Sequence, residues 1–204
     1  MNLLKRKSQR LTNFDYRQNY AYFITICTQK KLHLFGNIVN GEMILNNAGD
    51  MVYEKLLDMP TVYHNLVVDN SVVMPNHIHA IILLKNDVLR TSGTTQGSFP
   101  TGTLSYYIQR YKSLTTKLYI DGVKIGAYPP FDKKVWQKSY HDHIIRNETD
   151  YKSIWEYIES NPLRWEMDKY YWIKFGTSTV SFYTNSSIFI KNKKILLFYT
   201  FISR

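Results

Sequence analysis

The stretch Val72-Val73-Met74-Pro75-Asn76-His77-Ile78-His79-Ala80-Ile81-Ile82-Leu83-Leu84 decides how the rest of the chain is read. It starts apolar, breaks at Pro75-Asn76, and resumes as an aliphatic run interrupted by two histidines. Proline has no N–H to give to a ladder, so Pro75 marks a bend or the start of a strand. Ile78 to Leu84 is apolar enough for a central strand buried on both faces. Side chains alternate along a strand, so His77 and His79 share a face, roughly 7 Å apart. Two neutral imidazoles on a rigid strand can take one divalent metal ion. The pair also reads as two strand histidines satisfied by hydrogen bonds, and the spacing alone does not choose between these.

The chain has 204 residues, enough for one sizeable core and an appendage. Its 44% apolar and 21% charged content is that of a globular protein rather than a disordered one. The single cysteine, Cys27, reads as a buried small hydrophobe, which excludes an intrachain disulfide and a cysteine-rich zinc site. No signal peptide is evident, and the apolar run at 195–202 is too short to span a bilayer. A cytoplasmic protein without membrane association is expected. The formal charge is +10, but residues 1–168 carry 20 Lys/Arg against 16 Asp/Glu, while residues 169–204 carry six and no acid. The body is thus only mildly basic. Local clusters, not bulk charge, must argue for nucleic acid.

Working outward, Tyr20–Thr28 is rich in β-branched and aromatic residues and predicts a strand. Leu34–Val39 and Met43–Leu45 flank Asn40-Gly41, a hairpin signal. A helix is expected from Asn47 to about Met59, ended by Pro60, and then a strand over Leu66–Met74. Residues 85–102 read as a flexible loop. Leu104–Ile120 predicts a second helix with Leu104, Tyr107, Ile108, Tyr111, Leu114 and Leu118 as its buried stripe. Arg110, Ser113 and Lys117 lie on another side, either solvated or reaching a phosphate backbone. Val135–Lys138 suggests a short strand. A third helix is expected over Tyr151–Ser160, with Thr149 or Asp150 as N-cap and Pro162 as its stop. Tyr157 and Asn161, four apart, then share a face.

A rival pair, His141 and His143, lies in a polar stretch and suits a solvated or DNA-facing role better than a metal floor. Residues 1–19 form a basic arm containing Arg6 and Arg10, either frayed or neutralising phosphates. Residues 169–204 alternate aromatic, polar and basic residues without clear periodicity. They read as an extra β segment or as poorly integrated sequence.

Several separated motifs resemble one family, the single-tyrosine HUH (His-hydrophobe-His) transposases, and most closely their REP-associated branch. The matching stretches include Arg6–Leu11, Tyr22–Thr28, Leu34-Phe35-Gly36, Met74–His79, Lys112–Thr116, Trp136-Gln137, His143–Glu148, Tyr157-Ile158 and Asn161-Pro162, in the family's order. The resemblance implies an α+β, ferredoxin-like (RRM-like) antiparallel sheet with helices packed on it, within a transposase domain of residues 1–168 and an atypical tail of 169–204. It implies His77 and His79 as metal ligands, Asn161 as the polar third ligand, Tyr157 as nucleophile and Mg²⁺ or Mn²⁺ as cofactor. The implied substrate is single-stranded DNA with palindromic hairpins, cleaved through a 5′-phosphotyrosine by a monomer or homodimer. Arg6, Arg10, Arg110, Lys117 and Arg146 are the candidate DNA contacts.

Two other readings of the residues stand beside it. One is a non-catalytic single-stranded nucleic-acid-binding module on the same sheet, using its aromatics for stacking. The other is a small metal-dependent hydrolase without a covalent step.

Overall fold

The computed structural model describes residues 20–85, 102–175 and 178–181, with side chains as far as Tyr171. The basic arm with Arg6 and Arg10, and most of the 85–102 loop, lie outside the described residues. Contacts divide the chain into two units, Met1–Trp165 and Glu166–Arg204.

The first unit is α+β. Strands β1 (Tyr20–Cys27), β4 (Leu66–Met74), β5 (His77–Leu84) and β6 (His141–Ile145) form one antiparallel sheet in the order β4-β5-β1-β6. Helix α1 (Asn47–Leu57) joins β1 to β4, and helix α3 (Leu104–Lys124) joins β5 to β6. That β-α-β-β-α-β sequence of elements is the expected ferredoxin-like one. The core is extended by a hairpin of β2 (Gly36–Val39) and β3 (Glu42–Leu45) before α1, and by helix α4 (Glu148–Ser160) after β6.

Strand alternation sorts the sheet into two faces. Tyr22, Ile24 and Ile26 of β1 and Ile78, Ala80, Ile82 and Leu84 of β5 point to one side. There they meet Val52 and Leu56 of α1 and Leu104, Ile108, Tyr111 and Tyr119 of α3 in the main core. The opposite face is smaller. Ile81, Ile145 and Ile158 cluster there with Phe23, Val72, Tyr151 and Ile154, so α4 packs on the side that carries His77 and His79.

Local chemistry explains the boundaries. Asn40 and Gly41, at φ 53° and 80°, make the tight β2–β3 turn. Asn46 caps α1 by accepting from the N–H groups of Ala48 and Gly49 (3.0 and 2.9 Å). A Cβ on Gly49 would come within 2.2 Å of the Phe35 carbonyl oxygen, so only glycine fits. Between β4 and β5 the chain turns on Pro75-Asn76 alone. The turn's carbonyls are used: Pro75 O accepts from Leu34 N–H (2.8 Å) and Asn76 O from Thr28 N–H (2.9 Å).

Several expectations need correction. Helix α1 stops at Leu57, and Pro60 does not end it; Pro60 lies in the first turn of a short helix α2 (Met59–Val62), where a missing N–H costs nothing. Leu114 is not in the buried stripe of α3, being 47% exposed. The stripe passes instead through Thr115, whose hydroxyl donates to Tyr111 O (2.8 Å) and accepts from Trp136 Nε1 (3.0 Å). Val135–Lys138 is no strand but makes a single bridge, Trp136 to Thr28. The N-cap of α4 is Asn147, ahead of both Thr149 and Asp150, and it accepts from Asp150 N–H at 2.9 Å. Asn161 keeps helical φ and ψ (−59°, −44°) despite preceding Pro162, and Arg164 N–H still reaches Ser160 O at 3.1 Å. The turn therefore runs on past the proline.

In the second unit, β7 (Trp172–Phe175) and β8 (Ser178–Ser181) pair as an antiparallel hairpin. No helix among the described residues is long and apolar enough to cross a membrane.

Candidate active site

His77 and His79 are fully buried on the α4 face of β5. Their Nε2 atoms lie 3.0 Å apart. Each ring is held from behind. Asn76 donates through Nδ2 to Lys31 O (3.3 Å), which turns its Oδ1 toward His77 Nδ1 at 2.8 Å. An amide oxygen only accepts, so Nδ1 of His77 carries the proton and Nε2 offers a lone pair. His79 Nδ1 meets the Thr25 hydroxyl at 2.9 Å. A hydroxyl both donates and accepts, so His79 is free to place its proton on either nitrogen. With the proton on Nε2 it donates to His77. With the proton on Nδ1, two lone pairs converge at 3.0 Å, an arrangement that a cation between them would stabilise.

Tyr157 comes from α4, 78 residues further along the chain, and its hydroxyl oxygen sits 3.3 Å from His79 Nε2. Its ring packs against the His79 ring at 5.2 Å and edge-on to Phe23 at 5.9 Å. Phe23 in turn stacks on His79 at 5.1 Å. Trp165 lies against His77 at 5.9 Å and against His33 at 5.7 Å. Helix α4 is placed by two further ties to β4. At a bulge in that strand, Asp69 accepts a hydrogen bond from the Tyr151 hydroxyl, and Asn70 Nδ2 donates to Glu159 Oε1 at 3.1 Å. Burial pushes the Tyr151 phenol up to about 12, with the Asp69 carboxylate adding to the shift.

An uncharacterised protein of Haemophilus influenzae is 36% identical over 180 residues, covering 81% of this chain and 93% of that protein. The chain belongs to that protein's family. No protein-family model matches this family member. Among solved structures it is similar to a REP-associated tyrosine transposase bound to a REP hairpin, with TM-score 0.50 and 18% identity over 76% of this chain and 73% of the other. The resemblance stated from sequence thus holds at the level of the fold.

The structure brings His77, His79 and Tyr157 into direct contact. Asn161 is buried one turn beyond Tyr157. Arg146 is exposed at the end of β6, its N–H 3.3 Å from Asp150 Oδ2. Arg110 and Lys117 are exposed on α3, the helix behind the opposite face of the sheet. Of the rival histidines, both on the edge strand β6 and exposed, His143 pairs with Asp150 at 2.8 Å. The His143 contact holds the Asp150 carboxyl below its ordinary range.

Sequence reading passed over Phe23, Thr25 and Trp165. The first two carried a signal: they alternate on β1 and so face the same side as the histidines of a paired neighbour. Trp165 carried none.

Proposed function

We propose that the protein nicks and rejoins single-stranded DNA through Tyr157, as a tyrosine transposase. The reading rests chiefly on the Tyr157 hydroxyl standing 3.3 Å from His79 Nε2, beside His77.

The donor set suits a divalent metal. Two nitrogens at right angles, each about 2.1 Å from one ion, lie about 3.0 Å apart, which matches the observed separation of 3.0 Å. His77 and His79 would hold the ion, with Asn161 as the third ligand that the family motif implies. Two imidazoles favour Mn²⁺ over Mg²⁺, which prefers oxygen. When bound, the ion polarises the scissile phosphate and offsets charge on its oxygens.

The chain's own residues do the rest. Phe23 and His79 hold the Tyr157 ring, so its oxygen is presented to a phosphate lying over the histidines. That oxygen bonds to phosphorus while the bond to the 3′ oxygen breaks. The phenol proton leaves to solvent, and the departing 3′ oxygen takes one up. The products are a 5′-phosphotyrosine and a free 3′-hydroxyl. A phenol ionises near pKa ~10, so its phosphodiester stays reactive enough for a new 3′-hydroxyl to reverse the step without ATP. A palindromic hairpin beside a single-stranded flank is the expected substrate, with Arg146 as one backbone contact.

The test is a denaturing gel of protein incubated with labelled hairpin DNA, with Mn²⁺ or with chelator. A metal-dependent covalent species that disappears in Tyr157→Phe is expected. Its absence from the parent protein across such substrates overturns the reading.

A further inference from the structure

We propose that Lys30, Lys31, Lys133, Lys134 and Lys138 form a platform that grips the phosphate backbone of DNA at the rim of the His77–His79 site. The inference rests on the DNA-cleaving reading above and adds the surface that holds the substrate.

The five lysines come from two distant segments that the fold lays side by side. Thr28 bridges to Trp136, Gln29 N–H donates to Val135 O at 2.7 Å, and Gln137 N–H donates to Cys27 O at 2.9 Å. Residues 28–31 and 131–138 together hold five lysines and one acid, Asp132. Asp132 pairs with Lys30. Lys30, Lys133, Lys134 and Lys138 are exposed. Concentrating five lysines and one acid in two paired segments has no counterpart in fold stability, because like charges at close range repel.

The backbone adds a second observation. Of the four described non-glycine residues in the left-handed region, three belong to this patch: Lys30 (φ 57°), Lys31 (φ 52°) and Lys133 (φ 60°). Lysine gains nothing locally from that conformation, unlike asparagine or glycine, and such strain persists where function over-determines it.

Placement ties the patch to the site. Lys31 O accepts from Asn76 Nδ2 (3.3 Å), and Asn76 Oδ1 accepts from His77 Nδ1 (2.8 Å). One asparagine side chain therefore separates the patch backbone from His77. Thr28 also bonds Asn76 O through its hydroxyl, at 3.0 Å. A strand whose scissile phosphate lay over the histidines would run its neighbouring phosphates across these ammonium groups, with a phosphate displacing Asp132 from Lys30.

The test uses the full chain carrying Tyr157→Phe, so that binding is read without cleavage. Affinity for a fluorescent hairpin with a single-stranded flank is measured from about 50 to 200 mM KCl. Replacing Lys30, Lys133, Lys134 and Lys138 by Gln is expected to weaken binding at least tenfold and to flatten the log–log salt slope by about 3, near 0.7–0.9 per lost phosphate contact. Removing two charges from the helices on the opposite face instead, Lys55→Gln with Lys124→Gln, is expected to leave the slope within about 1 of the parent. A lysine variant that keeps the parent's slope and affinity overturns the platform. If that variant does not fold, Asp132→Asn decides: tighter binding supports the platform, and unchanged or weaker binding overturns it. A parent that binds no DNA overturns the cleavage reading itself, a result distinct from an unchanged slope.

Discussion

The Thr25 hydroxyl stands 2.9 Å from Nδ1 of His79, on the neighbouring strand and in register with it. It would let the imidazole move its proton away from Nε2 if a cation bound there. Thr25→Val removes that adaptor with little change in shape. Apparent Mn²⁺ affinity is expected to fall about 10- to 100-fold, read as the Mn²⁺ dependence of adduct yield, while Thr25→Ser stays near the parent.

Tyr157→Phe is expected to abolish the covalent adduct while leaving stability within about 1 kcal/mol, because the ring contacts to His79 and Phe23 survive the substitution. The gel and a denaturant melt read the two halves. A large fall in stability would make Tyr157 a packing residue first.

Tyr151 makes an alkaline prediction. Its phenol is raised from about 10 to about 12 by burial and by Asp69. The folded state therefore holds the proton more tightly than the unfolded chain, and the stabilising contribution is complete below pH 10. It is lost as pH rises from 10 through 12. In Tyr151→Phe that part of the decline should disappear from melts across the same window, and neutral-pH stability should drop by about 1 kcal/mol from the lost hydrogen bond.

Helix α3 offers a contrast between neighbours. Leu114→Lys should change stability by no more than about 0.5 kcal/mol, since the side chain already faces solvent. Thr115→Val should cost about 1–3 kcal/mol, because it strands the buried Trp136 N–H without an acceptor. Equal effects in urea melts would contradict the packing described.

Much of this was legible in the residues. Val72–Leu84 gave its hairpin and its buried strand because period and punctuation agree there. The first four core elements, β1, α1, β4 and β5, and helix α3 followed from similar agreement elsewhere, and the family resemblance implied the complete β-α-β-β-α-β core. The errors fall where local rules were outvoted. Leu114 looks like core by hydropathy, but Thr115 takes the inner position because Tyr111 and Trp136 satisfy its hydroxyl. Helix α4 does end at Ser160, as Pro162 suggested, although Asn161 keeps helical angles before the proline. Strand β6 hid in a polar stretch because an edge strand buries only part of itself, here Ile144 and Ile145. The lysine patch was invisible, since about a hundred residues separate its halves and only backbone pairing brings them together.

The alternation along β5 has a last consequence. Ile78, Ala80, Ile82 and Leu84 build the main core, while His77 and His79 look toward α4 and take no part in that cluster. Replacing an imidazole therefore disturbs the α4 side and leaves the layer of α1 and α3 beneath the sheet untouched. Variants without either ring should lose local order around Phe23 and Trp165 before they lose the sheet.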